Sequence, residues 1–491
     1  MFFRKLTRRN NQGEVKTERN PLEENGVTSP IMLSVLHELR GCQDVECITY
    51  QSNQVSLIYF PVLVDKVKME DQILTKAGYL LEADVHSWMS KIHAIEVTDP
   101  NELSQKILSG NVAIFFQGKA YSFNVFGPEY RQVEKSELET IIVGSHEAFI
   151  EDVLTNISLI RKTIKTSKLK VLKMQLGEVS KKDTYIMYIE GITDKKYVKM
   201  LKKRIEAIEI DAVLDINILG QLLDDQPNAI FPQFYMTELP NSVSSKLMEG
   251  RVAILLEGSP LVITAPTNFF EFMQSPEDYN QRWIIGTALR FLRLIALFTT
   301  LTFTALYVAV ITYHYEMIPE DLVMTIAESR QRVPFPPIIE ALLMELMIEF
   351  LREAGARLPT KIGQTIGIVG GIVIGQAVVA AGLTSNILII AVASSAIASF
   401  VLPSYTLSNS LRIIRFGLIM SAAIFGVFGM TLALGAATIH VTTITSLHSP
   451  YLTPVAPAYP RDWKDIFIRA PLRMLKNRPL SNQPQNKVRM K

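Results

Sequence analysis

Cysteine is nearly absent from this chain: Cys42 and Cys47 are the only two in 491 residues. Two thiols exclude a disulfide framework and are too few for a structural zinc site by themselves, so both read as ordinary thiols of a reduced compartment. Also missing are short signatures of catalysis: the G-x-x-x-x-G-K-[ST] phosphate loop, the H-E-x-x-H zinc motif and the G-x-S-x-G nucleophile elbow. The seven histidines are scattered, and His440, inside a late apolar block, reads as a hydrogen-bonder between helices rather than a ligand. These absences predict a protein that is not an enzyme and needs no metal or cofactor. Met1 to Asn20 is basic and polar with no apolar run of the secretory kind, so the soluble part is expected to stay in the cytoplasm. The most informative absence is of charge. From Ile362 to Leu411 there is no Asp, Glu, Lys or Arg, although the whole chain holds 50 basic and 48 acidic residues.

What fills that stretch is glycine at a fixed interval: Gly363, Gly367, Gly371 and Gly375. In water each interior glycine would weaken a helix by about 1 kcal/mol relative to alanine. In lipid the same ridge lets a second helix backbone approach closely, so the four glycines predict tight helix packing inside a bilayer. At about 100° per residue the opposite side of this helix presents Thr365, Val369, Ile372, Val373, Gln376 and Ala380. Small and apolar side chains interrupted by a threonine and a glutamine suit a pore lining that dewets when the valines close in. The same face suits lipid or a neighbouring helix equally in kind, with the glutamine hydrogen-bonded across the bundle.

Further membrane segments follow from hydropathy: Leu294 to Tyr313, Thr365 to Leu383, Asn386 to Leu402, and an ion-free block from Phe416 to Leu447. That last block is either one long helix or a tight pair broken near Gly426 and Gly429. Trp283, Arg290 and Arg293 precede the first segment as interface anchors. Residues 337–358 are ambiguous, being apolar but carrying Glu345, Glu349 and Glu353 one turn apart on one face. In a ring of subunits Glu345 and Glu349 would concentrate negative charge at a pore mouth and favour cations. The plainer reading pairs Glu349 with Arg352, or Glu353 with Arg357, on a solvated face. Residues 461–491 hold nine Lys or Arg against two Asp, a bias for a cytoplasmic tail, which requires an even number of crossings, four or six.

Ahead of the membrane part, residues 1–29 have too few apolar side chains to form a core and are expected to be disordered. From there to about residue 280, short β-branched runs alternate with charged amphipathic stretches, which predicts an α/β region. It contains an internal echo. Ile107 to Gly118 reappears as Leu247 to Gly258, and more weakly Ile58 to Lys66 as Met187 to Lys195. Two echoes in one order predict two similar α/β subdomains, 30–145 and 146–280, before a helical membrane domain, 281–448, and a basic tail, 449–491.

Several segments together resemble a known family: Phe231-Pro-Gln-Phe, Thr237-Glu-Leu-Pro, Glu249-Gly-Arg-Val-Ala-Ile-Leu, the run Val333 to Glu345, Leu351 to Pro359 and Gly363 to Gly371. They are similar to the A subunits of GerA-type spore germinant receptors, from about residue 140 to 480. The resemblance implies an endospore former, the spore inner membrane, and a complex with a permease-like B subunit and a lipoprotein C subunit. It also implies a homo-oligomer, a pentameric ring, acting as a nutrient-gated channel that releases monovalent cations. It leaves two other roles open: a non-conducting scaffold or relay subunit, and the related stage V sporulation protein that amplifies ion release.

Overall fold

Turn glycines and aspartate caps divide the first part of the chain into two sheets of the same design. The computed structural model describes residues 29–50, 54–79, 84–127, 136, 139, 143–357, 371 and 375–490. The first sheet comprises β1 (Glu46–Tyr50), β2 (Val55–Tyr59), β3 (Ile95–Glu96), β4 (Asn111–Phe116) and β5 (Lys119–Asn124), in the order β1-β2-β4-β5-β3. The second comprises β6 (Leu169–Leu176), β7 (Lys182–Ile189), β8 (Tyr235–Thr237), β9 (Val252–Leu256) and β10 (Val262–Ala265), in the order β6-β7-β9-β10-β8. Equivalent strands hold equivalent places, and every pairing in both sheets is antiparallel.

The echoed segments fall on matching elements. Gly110 and Gly250 end the helices Pro100–Leu108 and Pro240–Met248 with φ of +88° and +99°, a left-handed conformation that a side chain would strain. Asp65 and Asp194, at the ends of the weaker echo, each cap a helix by accepting from Lys68 N and Lys196 N. One core joins the sheets. Ile58 and Ala113 of the first meet Val171, Met187 and Leu255 of the second, with Ile157 and Ile160 of the helix Val153–Thr163 between them. Arg161 of that helix is buried in an ion pair with Asp44, its guanidinium stacked 4.3 Å from the Phe60 ring centre.

Beyond Asn280 the chain is helical. Trp283–Tyr313 and Tyr405–Thr443 are both long and apolar enough to cross a membrane, by length and composition. The second is no continuous rod: Gly426 breaks it at φ +63°, ψ −146°. Ser410 Oγ donates to Ile230 O at 2.7 Å, and His440 Nε2 accepts from Ile230 N at 3.1 Å. A straight helix would set residues thirty apart about 45 Å from each other, so the chain reverses at Gly426 and the tight-pair alternative holds. Its first arm begins eleven residues before the ion-free block and includes Arg412 and Arg415.

Two clusters fix the helix directions. At the end nearest the sheets, Leu297, Leu402, Leu407, Leu411 and Val441 pack on Phe269, Phe272 and Tyr451. Farther out, Ala305, Ala309, Ala341, Leu388, Val392, Leu418, Ala422 and Met430 pack together. Trp283–Tyr313 therefore runs outward, Asn386–Val401 inward, and the arms of the hairpin outward and inward. The glutamate helix, Pro337–Arg357, runs inward beside Asn386–Val401, since Glu340 meets Ser385 at one end and Arg352 meets Ser399 at the other. It is part of the bundle rather than a helix lying across its end. Gly382 packs against Arg332 at the far end, so the chain has returned there before Asn386.

Arg290 and Arg293 are not extended to an interface as expected of anchors. Both are buried against Asp278, with Arg293 Nη1 and Nη2 2.7 and 2.9 Å from its oxygens. The basic C-terminal segment is folded as well. Phe269 N donates to Tyr451 O, Thr267 N to Ser446 Oγ, and Gln485 N to Ile192 O, at 2.8, 3.0 and 2.8 Å, fastening it along the second sheet's half.

Candidate functional site

Carboxylates and guanidiniums meet inside the bundle, where leaving either alone would be costly. Glu345 projects from the glutamate helix and Arg415 from the first arm of the hairpin. Both are 0% exposed, and Arg415 Nη2 lies 2.7 Å from Glu345 Oε2. Thr304 of the Trp283 helix donates to Glu345 Oε1 at 2.9 Å, and Arg415 Nη1 donates to Ser395 Oγ of the Asn386 helix at 3.0 Å. One ion pair thus ties four helices together. A turn further on, Glu349 receives Arg412 at 3.0 Å, Arg415 at 3.3 Å and, more distantly, Arg352 at 3.8 Å. Arg352 also reaches Ser399 at 3.4 Å and lies 5.2 Å from the Phe400 ring centre. With all five ionised, three guanidiniums face two carboxylates, and the cluster carries one net positive charge. At the outer end Glu340, also buried, pairs with Arg330 at 3.2 Å and accepts from Ser385 N at 3.1 Å.

The expected selectivity residues therefore lie in an arginine cluster: Glu345 has no exposed surface in the single chain, and Glu349 is about a fifth exposed. Of the plainer pairs, Glu349–Arg352 exists but is the longest contact Glu349 makes, and Glu353–Arg357, at 2.6 Å, is on the surface. Arg412 and Arg415 are the residues that sequence reasoning did not assign. Their signal is an i, i+3 pair of arginines opening an apolar block that needs them for nothing else.

Of the expected pore face, Gln376 and Ala380 are exposed, while Val378, about 200° around the same helix from Gln376, is buried against the bundle. Thr365, Val369, Ile372 and Val373 lie outside the described residues, as do Gly363 and Gly367. Gly371 is exposed and Gly375 half-buried, and a Cβ added to either would meet nothing within 4 Å. Among the described residues, then, Gln376 and Ala380 of the polar face are exposed, and Gly371 and Gly375 have open space at their Cβ positions.

The junction between sheets and bundle has its own charged knot. Asp225 pairs with Arg204 at 2.5 Å and accepts from His448 N at 2.8 Å just past the hairpin's last turn. Burial, reinforced by the neighbouring Asp225 charge and opposed by Arg204, pushes the Asp224 carboxyl up to about 7.

Residues 34–481 match the model of the Bacillus/Clostridium GerA spore germination protein family. The chain belongs to that family. The spore germination protein GerQA of Bacillus cereus is 40% identical over 476 residues, 95% of each chain. The uncharacterized membrane protein YfkQ of Bacillus subtilis (strain 168) is 40% identical over 419 residues, covering 85% of this chain and 80% of that one. A crystal structure of the N-terminal domain of the A subunit of the Bacillus megaterium germinant receptor GerK3 matches at 25% identity and a TM-score of 0.38, covering 48% of this chain and 94% of that one. As a GerA-family receptor subunit, the chain is not an enzyme.

Proposed function

We propose that this GerA-family protein is the channel-forming A subunit of a nutrient germinant receptor, releasing monovalent cations through a homo-oligomeric ring, a pentamer, in the spore inner membrane. In this reading the Trp283 helix, the glutamate helix, the segment ending at Gly382, the Asn386 helix and the two hairpin arms are six crossings. Six is even, as required when the C-terminal segment packs on the same α/β half that precedes the first crossing. Permease-like B and lipoprotein C subunits complete the receptor, and nutrient binding to the B subunit opens the ring.

The observation that carries the reading is that Gln376 and Ala380 are exposed while Val378, on the other side of their helix, is buried, with open space left at Gly371 and Gly375. Neighbouring subunits on the ridge would turn Thr365, Val369, Ile372, Val373 and Gln376 toward a shared axis. Glu345 and Glu349 enter the cation path when the glutamate helix parts from Arg412 and Arg415, which makes the cluster a latch as well as a source of negative charge. A second reading, a non-conducting relay, is favoured by the surplus guanidinium charge of that cluster, which repels cations while the latch is closed. Potassium flux through liposomes containing the purified chain alone separates the two.

A further inference from the structure

The C-terminal segment builds a cavity of about 310 Å³ against the second sheet's half, and its walls carry seven Lys or Arg against four Asp or Glu. Arg461, Lys464, Arg478, Lys487 and Arg489 line it, and none of them pairs with a carboxylate among the described residues. The cavity's own acids have partners other than these five, with Arg489 acting on Asp465 through its charge alone. Glu271 is held by Arg251 and Lys246, Asp465 by Arg290 and the Tyr279 hydroxyl, and Asp462 accepts from Ser481 N, while Glu249 reaches only Arg251 at 3.9 Å. Arg251, 3% exposed, lines the cavity with a buried Nε that has no hydrogen-bond partner among the described residues. Burial and the like charge of Arg489 push the Arg478 guanidinium below its ordinary value, so this wall would be relieved by an anion.

The same segment borders the start of the first apolar helix. Thr287 Oγ1 donates to Arg469 O at 3.4 Å, and the Arg469 guanidinium lies 5.5 Å from the Tyr279 ring centre. In the two stretches of chain that meet here, Trp283, Ile284, Trp463, Ile468, Leu472 and Met474 are all exposed. Aromatic and aliphatic side chains beside unpaired Lys and Arg, at the foot of a membrane helix, are the composition of the headgroup layer. We propose that this cavity and its apolar rim bind the phosphate headgroup of an anionic phospholipid, seating the C-terminal segment on the bilayer surface. The inference rests on the Trp283 helix being a membrane span and not on conduction through the ring.

The test uses the full chain in neutral detergent micelles doped with phosphatidylglycerol or phosphatidylcholine, with retained lipid counted by native mass spectrometry. The variant carries Lys464→Gln, Lys487→Gln and Arg489→Gln, all exposed and without a carboxylate partner among the described residues, so an unchanged melting profile is expected. At roughly fivefold per cation near an anionic surface, the triple variant should retain phosphatidylglycerol on the order of a hundredfold more weakly. A charge-matched control, Arg40→Gln, Lys76→Gln and Lys91→Gln on the first sheet's half, should bind like the wild type. If the triple variant misfolds, Lys487→Gln alone should still show the roughly fivefold loss. Equal retention by variant and wild type, or equal retention of phosphatidylcholine, would overturn the site. Complete displacement by millimolar inorganic phosphate would overturn the lipid assignment in favour of a soluble anion.

Discussion

Replacing Arg415 with methionine keeps most of the side-chain volume and removes the charge that Glu345 faces. Glu345 would keep its bond from Thr304 at 2.9 Å but lose the guanidinium at 2.7 Å, with no exposed surface through which water could compensate. Removing one member of a buried pair typically costs about 3–5 kcal/mol, because the remaining charge is stranded. At about 2–4 °C per kcal/mol for a domain of the bundle's size, the melting temperature in detergent should fall by on the order of 10 °C. Glu345→Gln alone strands Arg415 less severely, because Glu349 is 3.3 Å from it and Ser395 3.0 Å. The double variant, Arg415→Met with Glu345→Gln, removes both charges and should recover most of the loss, since a buried pair contributes little net stability over apolar replacement. Scanning fluorimetry of the four proteins gives the coupling energy directly. A single Arg415→Met variant as stable as wild type, or a double variant no better than the single, would show that the pair is not what holds the glutamate helix to the hairpin. Because the proposal makes this cluster a latch, the single variant should also release cations from spores without nutrient.

Three further outcomes can be measured. Val373→Ala, on the proposed pore face, should widen or wet the constriction, read as potassium release from dormant spores; normal dormancy would count against this helix lining the path. A Cβ added at Gly371 meets nothing within 4 Å in its own chain, so with Gly371→Leu the monomer should fold normally while overpacking between subunits costs about 1–3 kcal/mol. Native-gel size tests it, and a wild-type oligomer would refute the ridge. Asp224 has a folded value raised to about 7 from an ordinary one near 4. The folded state therefore keeps a proton that the unfolded chain gives up, and stability falls as pH rises from about 4 to 7. Asp224→Asn should accordingly gain about 1–2 kcal/mol at pH 8, discounted for partial exposure, and nothing at pH 4. A gain equal at both pH values would place its origin elsewhere.

What could be read from the sequence was local, and what could not was distant. The paired sheets were legible because Gly110 and Gly250, and Gly118 and Gly258, punctuate strands at the same offsets, and turn chemistry is written in adjacent residues. Charge-free length exposed the apolar helices for the same reason. The cluster was hidden by separation: Glu349 meets Arg412 and Arg415 across 63 and 66 residues, and a scan for ion-free runs discards the arginines as boundaries. Periodicity placed Glu345 and Glu349 on one face correctly but said nothing of what that face meets. Likewise the excess of Lys and Arg after residue 461 marked a basic segment, while its attachment through Tyr451, Asp465 and Gln485 depends on partners far upstream.

Conduction is the claim on which the functional account depends, and potassium flux measures it without other receptor subunits. Purified protein would be reconstituted into potassium-loaded liposomes, with Arg415→Met as the unlatched form and Arg415→Met combined with Gly371→Leu as the form unable to assemble. The account predicts low flux from wild type, high flux from Arg415→Met, and loss of that flux when Gly371→Leu is added. No flux from an assembled, folded Arg415→Met ring would contradict it and leave the relay role in its place.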